Sequence, residues 1–405
     1  MTTIAVGNPR ATGANTANSA VAAMARTRDI RLDFFRGIAM YIILIAHIRS
    51  DWLALWIPAR FGFSDATEMF VFCSGMASAI AFGTAFREKG WLLGTARVVF
   101  RMWQVYWAHI GLFVAIAATT ALMRNSGWFD VDHVGKLNLY LFFNNPLEHL
   151  PGLLTLTYVP NFFDILPMYI VVLAMMPIVV ALARLNFWVA AASVIGVWLW
   201  ANIANVNFPA EPLSDRKWFF NPLGWQLVFF TGYAFSSGWI KAPPVDRRLV
   251  VLAILVVLVS VPFAYFRVIN MVPEIQEWRK NYDFLFEKTN FGIFRYLHFL
   301  ALAYLAVCLV GPKGARLMAE PANAALAQFW RQLRAVIVTV GQQSLAVFVF
   351  SMFAAVLLAA LFDVVGRSNI SMVWVNALGF GLITAAAYAA AWFKKKPWAM
   401  KAVKS

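Results

Sequence analysis

Apolar residues gather into ten runs of membrane-spanning length along this chain, at about 34–50, 66–86, 98–122, 163–184, 187–205, 221–240, 248–267, 292–311, 335–361 and 372–393. Crossing a bilayer takes about 20 consecutive, mostly apolar helical residues. The pattern therefore predicts an all-α polytopic membrane protein of about ten transmembrane helices. The third and ninth runs are longer than needed and are expected to tilt or to extend beyond the bilayer. Residues 1–27 are rich in Ala, Thr, Asn and Gly and lack the basic head and apolar core of a signal peptide. They read as a disordered cytoplasmic tail, and the first apolar run as the insertion signal. The membrane domain is expected over 28–393, with 394–405 a short basic tail.

Composition agrees with this class. Of 405 residues, 61% are hydrophobic and only 13% charged, against about 25% charged in a soluble chain. The 17 Trp and 36 Phe suit interfacial aromatic belts. A net charge of +15 raises the question of nucleic acid. Its distribution answers no. With the N-terminus inside, the inner connections and tails hold 22 of the 34 basic residues. That is a positive-inside pattern, and it places both termini in the cytoplasm. Cys73 and Cys308 both lie in apolar runs and form neither a disulfide framework nor metal-ligand spacing, so no metal is expected.

The long connections fall outside, at 124–161, 268–291 and 206–220. Inner connections are short except 312–334, which has the makings of an amphipathic helix. Long loops in a compact protein tend to carry function. The outer ones hold Trp128, Phe129, His133, Asn144, Asn145, His149, Tyr158, Trp218, Trp278 and Tyr282. Such side chains either stack on sugar rings or form an interfacial belt; the residues alone leave both open.

Candidate chemistry begins in the first run, Asp33-Phe-Phe-Arg36-Gly-Ile-Ala-Met-Tyr-Ile-Ile-Leu-Ile-Ala-His47. Eleven helical steps return His47 to within about 20° of the Arg36 face, about 16 Å further along the axis. One stripe thus holds a cation near the inner surface and an imidazole deep in the bilayer. A central charge costs on the order of 3 kcal/mol on insertion scales, so such residues are functional by default. The second run opens on Ser64-Asp65-Ala-Thr-Glu68, with both acids on one helix face. A carboxylate there can orient the imidazole; Ser64 and Asp65 equally suit a helix cap. Arg97 and Arg101, an i, i+4 pair at the inner end of the third run, suit either a phosphate clamp or snorkelling to lipid heads. His109, two turns deeper, either lines a conduit or bonds a neighbouring helix. Arg295 and His298 share a face near the outer surface, and Asp164 at the outer start of the fourth run is a candidate partner for either.

These residues resemble a known family. Arg31-Leu-Asp-Phe-Phe-Arg36-Gly followed by His47 is similar to the transmembrane acyltransferases of the acyltransferase-3 superfamily, most closely the OpgC-type succinyltransferases of osmoregulated periplasmic glucans. Supporting motifs are Phe61-Gly-Phe-Ser-Asp65-Ala-x-Glu68 with Ser74-Gly75, Asp164-Ile-Leu-Pro167-Met-Tyr169, Asn221-Pro-Leu-Gly-Trp225-Gln226 and Gly341-Gln-Gln-Ser344-Leu-x-Val-Phe348. They run through nearly the whole chain outside the tail. One departure stands out: relatives that transfer acetyl groups carry Arg-x-x-Arg where this chain has Arg97-x-x-x-Arg101.

The resemblance implies a multi-pass enzyme of the bacterial inner membrane that moves an acyl group from cytoplasmic acyl-CoA to a periplasmic glucan, with His47 catalytic. On this reading succinyl-CoA is the co-substrate, and its nucleotide end is expected near Arg36, Arg97, Arg101 and His109. Glu68 or Asp65 would assist His47. Asp164 and His298 would face the acceptor, and Arg295, or failing that Arg49, would meet the carboxylate of a succinyl group. The lipid bilayer is the other expected partner; the oligomeric state is left open. On the residues alone a second class stays open, a transporter or flippase for a glycan or lipid-linked sugar. Transporters often show two related halves, whereas the polar residues here cluster in the first three runs.

Overall fold

A computed structural model describes residues 29–399. The tail expected over 1–27 and the last residues of the basic tail lie outside the described residues. The described chain is helical throughout, and its one β-type pairing is an isolated bridge between Pro209 and Lys217. The long helices are α1 (Ile30–His47), α2 (Ala66–Glu88), α3 (Gly90–Ser126), α4 (Ile165–Leu185), α5 (Phe187–Ile203), α6 (Pro222–Ser237), α7 (Arg247–Ala264), α8 (Ile293–Val310), α9 (Ala324–Gln342), α10 (Ser344–Val365) and α11 (Asn369–Lys395).

Short polar residues set their starts. The side chains of Asp29, Asp65, Asn186, Asn221, Asp246, Asn323 and Ser368 each accept a first-turn backbone N–H of the helix that follows. α3 ends where Gly127 takes a left-handed conformation at φ +68°, which suits a residue without Cβ. Among the described residues, α2, α3, α4, α7, α8, α10 and α11 are long and apolar enough to cross a membrane. α1 carries Arg31, Asp33 and Arg36, and α5 and α6 run to 17 and 16 residues, so these three are weaker spans by composition or length.

One predicted run is corrected. The ninth, 335–361, is not a single helix: it breaks at Gln343, and its first eight residues belong to α9. The amphipathic helix anticipated in 312–334 therefore starts later, at Ala324, and runs on into that stretch. The reason is packing against α1. A Cβ at Gly341 would stand 1.8 Å from the Asp33 carbonyl oxygen, and one at Gly37 2.0 Å from that of Ile337. α9 is thus pressed onto α1 and cannot stay collinear with α10.

The same device joins α2 to α6. A Cβ at Gly75 would lie 1.9 Å from the Phe229 carbonyl oxygen, and one at Gly232 2.2 Å from that of Phe72. Small residues at such crossings let backbones touch, which is a main source of helix association in lipid. Gly75→Val is therefore expected to cost about 1–3 kcal/mol or more, because backbone cannot move aside as a side chain can. Lower folded yield in detergent and a lower unfolding midpoint would show it; an unchanged midpoint would refute the close crossing. α2, α4 and α10 are the most buried spans, and α7 lies at the periphery.

Candidate functional site

His47 is the last residue of α1. It stands at the helix end that leads into the connection to α2 and is half-buried. Its Nδ1 lies 2.7 Å from the Ile43 carbonyl oxygen. A carbonyl only accepts, so Nδ1 carries the proton and Nε2 keeps its lone pair. The ring meets Phe162 edge-on at 5.2 Å. Orientation of the imidazole thus comes from its own helix, while Asp65 and Lys288 supply the charges felt at the ring.

Asp65 and Glu68 form a capping box at the start of α2. Asp65 accepts from Thr67 N–H at 2.6 Å, and Glu68 Oε2 accepts from Asp65 N–H at 2.7 Å. Both carboxylates have a second task. Arg295 on α8 grips Glu68 Oε1 through Nε at 2.7 Å and Nη2 at 2.6 Å, and reaches Asp65 at 3.6 Å. Lys288 donates to Asp65 Oδ2 at 2.6 Å. Glu68 is fully buried. Burial alone would raise the Asp65 carboxyl, just outside α2, but Lys288 and Arg295 outweigh it and hold that carboxyl well below the usual range. His298, one turn after Arg295, accepts at Nδ1 from the Ser64 hydroxyl at 2.7 Å and from Ser64 N–H at 3.2 Å. The cap reading of Asp65 and Glu68 is therefore present, and the same two carboxylates also hold Lys288 and Arg295.

Asp164 does not pair with Arg295 or His298, as the sequence suggested. It accepts from Phe219 N–H at 3.0 Å instead. The 206–220 connection and Thr289 lie over the start of α4, and Asp164 joins Phe162, Arg216, Lys217, Phe219 and Thr289 in lining an open cleft of about 530 Å³. Arg216 is anchored there by Glu211 at 2.6 Å. Phe162 is common to this cleft and to the His47 ring.

Arg49, two residues beyond His47, is held by Asp363 on α10 at 3.1 Å, and the same carboxylate faces His133 at 3.2 Å and Arg367 at 2.5 Å. This cluster ties the 127–164 connection to the end of α1. Arg49 and Arg295, both expected to meet an acyl carboxylate, thus already face carboxylates of the chain.

Towards the other end of α1, an Arg36 Nη nitrogen donates to Ser344 Oγ at the start of α10, while Arg36 Nε is buried without a hydrogen-bond partner among the described residues. Cys73, Tyr169, Asp33 and Arg101 are near enough to act on the guanidinium electrostatically. Arg101 also donates to Gln104 Oε1 at 3.1 Å, and Arg97 is exposed on α3. His109 is fully buried, both ring nitrogens lack a hydrogen-bond partner among the described residues, and Phe163 meets it edge-on at 6.2 Å.

The structure thus gathers Asp65, Glu68, Arg295 and His298 into one cluster near His47, and leaves Asp164 in the cleft, Arg49 beside Asp363 and Arg36 near Arg101. Sequence reasoning missed Lys288, Phe162, Arg216 and Asp363, and read Ser64 only as a helix cap.

No curated protein and no solved structure matches the chain. A family model does, one described as OpgC protein, over residues 28–395. The matched region takes in α1 through α11, and with it every residue of the site just described. The chain belongs to the OpgC family, which supports an acyltransferase-type role in glucan modification.

Proposed function

We propose that this chain is a transmembrane O-acyltransferase that carries an acyl group, succinyl by family likeness, from cytoplasmic acyl-CoA to hydroxyls of a periplasmic glucan. One observation carries this reading. An imidazole with a free Nε2 lone pair stands at the outer end of α1 and shares Phe162 with an open, polar-lined cleft. On this reading the protein sits in the bacterial inner membrane with its termini inside. α1, α5 and α6 join the seven longer spans to make ten.

The donor's nucleotide end binds at the inner surface near Arg97, Arg101 and Arg36, and its arm runs outward along α1. The acceptor enters through the cleft, where Asp164, Arg216 and Lys217 offer polar groups and Trp218 and Phe219 apolar surface. A sugar hydroxyl is too weakly acidic to attack a thioester unaided. His47 Nε2 takes its proton as the oxygen approaches the carbonyl carbon, which contributes about 10²–10⁴-fold. Ile43 fixes the tautomer, and Asp65 offsets the charge that develops on the ring. Holding hydroxyl and thioester together supplies the remaining acceleration.

The test is purified protein reconstituted in vesicles with labelled succinyl-CoA supplied on one side and glucan on the other. Label moving to the glucan, and lost in His47→Ala, is the expected result. Glucan crossing the bilayer unacylated would establish a transporter instead.

A further inference from the structure

Acyl transfer needs a second element that the proposed base cannot supply. As the hydroxyl oxygen bonds to the thioester carbon, the carbonyl oxygen becomes an oxyanion, and a preorganised donor must meet it. The cations around His47 differ in how far they are committed. Arg295 is gripped by Glu68 through two of its nitrogens and also reaches Asp65. Arg49 is held by Asp363. Lys288 is different: its ammonium has three N–H donors, it donates to Asp65 Oδ2, and its side chain stays 27% exposed.

Its place is also right. The ammonium lies over the rings of Phe220 at 5.4 Å and Phe219 at 6.0 Å. Phe219 and the next residue, Thr289, line the cleft that Phe162 shares with His47. The backbone beneath it is fixed, because Lys288 O accepts from Trp225 Nε1 at 2.9 Å and Trp225 is fully buried. Asp65 accepts from the ammonium at 2.6 Å and holds it beside the start of α2.

We propose that Lys288 is the oxyanion donor of the acyl transfer, a catalytic residue that rests on the acyltransferase reading above. One N–H of its ammonium donates to the thioester carbonyl oxygen as the sugar oxygen bonds to the carbonyl carbon. His47 Nε2 takes the hydroxyl proton in the same step. The oxyanion then reforms the carbonyl, the carbon–sulfur bond breaks, and the thiolate of CoA leaves with the proton returned from His47. Lys288 gains and loses nothing; it remains an ammonium throughout.

Reconstituted protein with succinyl-CoA, acetyl-CoA and glucan tests this. Lys288→Met is expected to lower kcat by about 10²–10³-fold, as loss of one oxyanion donor does, with both donors affected alike and KM within about threefold. Lys288→Arg should recover at least about tenfold of that loss. Where Lys288→Met fails to fold, the double variant Asp65→Asn/Lys288→Met, which leaves no unpaired carboxylate, is compared with Asp65→Asn and should show the same drop in kcat. A loss carried in KM, or confined to succinyl-CoA, would show a binding or specificity role and overturn the assignment. So would a loss under about fivefold in a folded variant. Wild-type protein that transfers no acyl group would overturn the acyltransferase reading itself, a result distinct from active wild type beside an unimpaired Lys288→Met.

Discussion

Replacing His47 by alanine or glutamine is expected to abolish acyl transfer while leaving the protein folded. The loss should reach about 10²–10⁴-fold, the usual share of a positioned general base. It should appear in kcat, because the base acts on the proton in flight and not on the bound substrates. Stability should change little. The ring is half-buried, tied to its own helix through Ile43 and touched edge-on by Phe162. Initial rates of label transfer measure the first claim and thermal unfolding in detergent the second. If His47→Gln kept more than about a tenth of the wild-type rate at equal expression, another group must accept the proton. Single turnover without glucan adds a finer test: label retained on His47 of the wild type would show an acyl-imidazole intermediate, and none would favour direct attack.

The stripe of Arg36 and His47 was legible because lipid punishes polar side chains, so a cation and an imidazole inside an apolar run stand out. The pairing of Asp65 with Glu68 was legible for the local reason that a helix start wants acids in its first turn. What was not legible came from partners far along the chain. Lys288 meets Asp65 across 223 positions, and Arg295 meets Glu68 across 227. Nothing near Lys288, in a charged outer loop beside Asp283 and Glu287, separates it from an ordinary solvated lysine. Asp164 misled for the same reason. Its acceptor role towards Phe219 depends on how the 206–220 connection folds back, which no local pattern records. The break at Gln343 was hidden differently. Residues 335–361 hold no proline, and their one polar interruption, Gln342-Gln343-Ser344, marks the break only weakly; the close crossing of α1 and α9 at Gly37 and Gly341 is not visible in the local pattern. An apolar run extending to residue 50 likewise does not tell that the helix inside it stops at His47.

The contact between Glu68 and Arg295 carries the second large effect. Glu68→Ala would leave the Arg295 guanidinium, with only 10% of its side chain exposed, facing the space of a lost carboxylate, with Asp65 3.6 Å away as its remaining acid. Breaking such a buried pair on one side costs about 3–5 kcal/mol. That is a large part of the 5–15 kcal/mol that holds a typical soluble domain together. The expected outcome is a sharp drop in folded protein, read as yield and unfolding midpoint. Removing both charges should be milder. Glu68→Gln/Arg295→Met replaces the pair by groups of similar volume, and such exchanges are often neutral for stability. Activity then decides what the pair is for. Asp65 would keep Lys288 but lose Arg295, so the ammonium would sit in a more negative setting while its backbone stayed fixed by Trp225. If the pair only braces α2 against α8, the folded double variant should transfer acyl groups at near the wild-type rate. If Arg295 and Glu68 hold Asp65 and Lys288 in register with His47, the double variant should fold and yet lose about tenfold or more in kcat. A single variant Glu68→Ala as stable as wild type would mean that the pair is not buried as described.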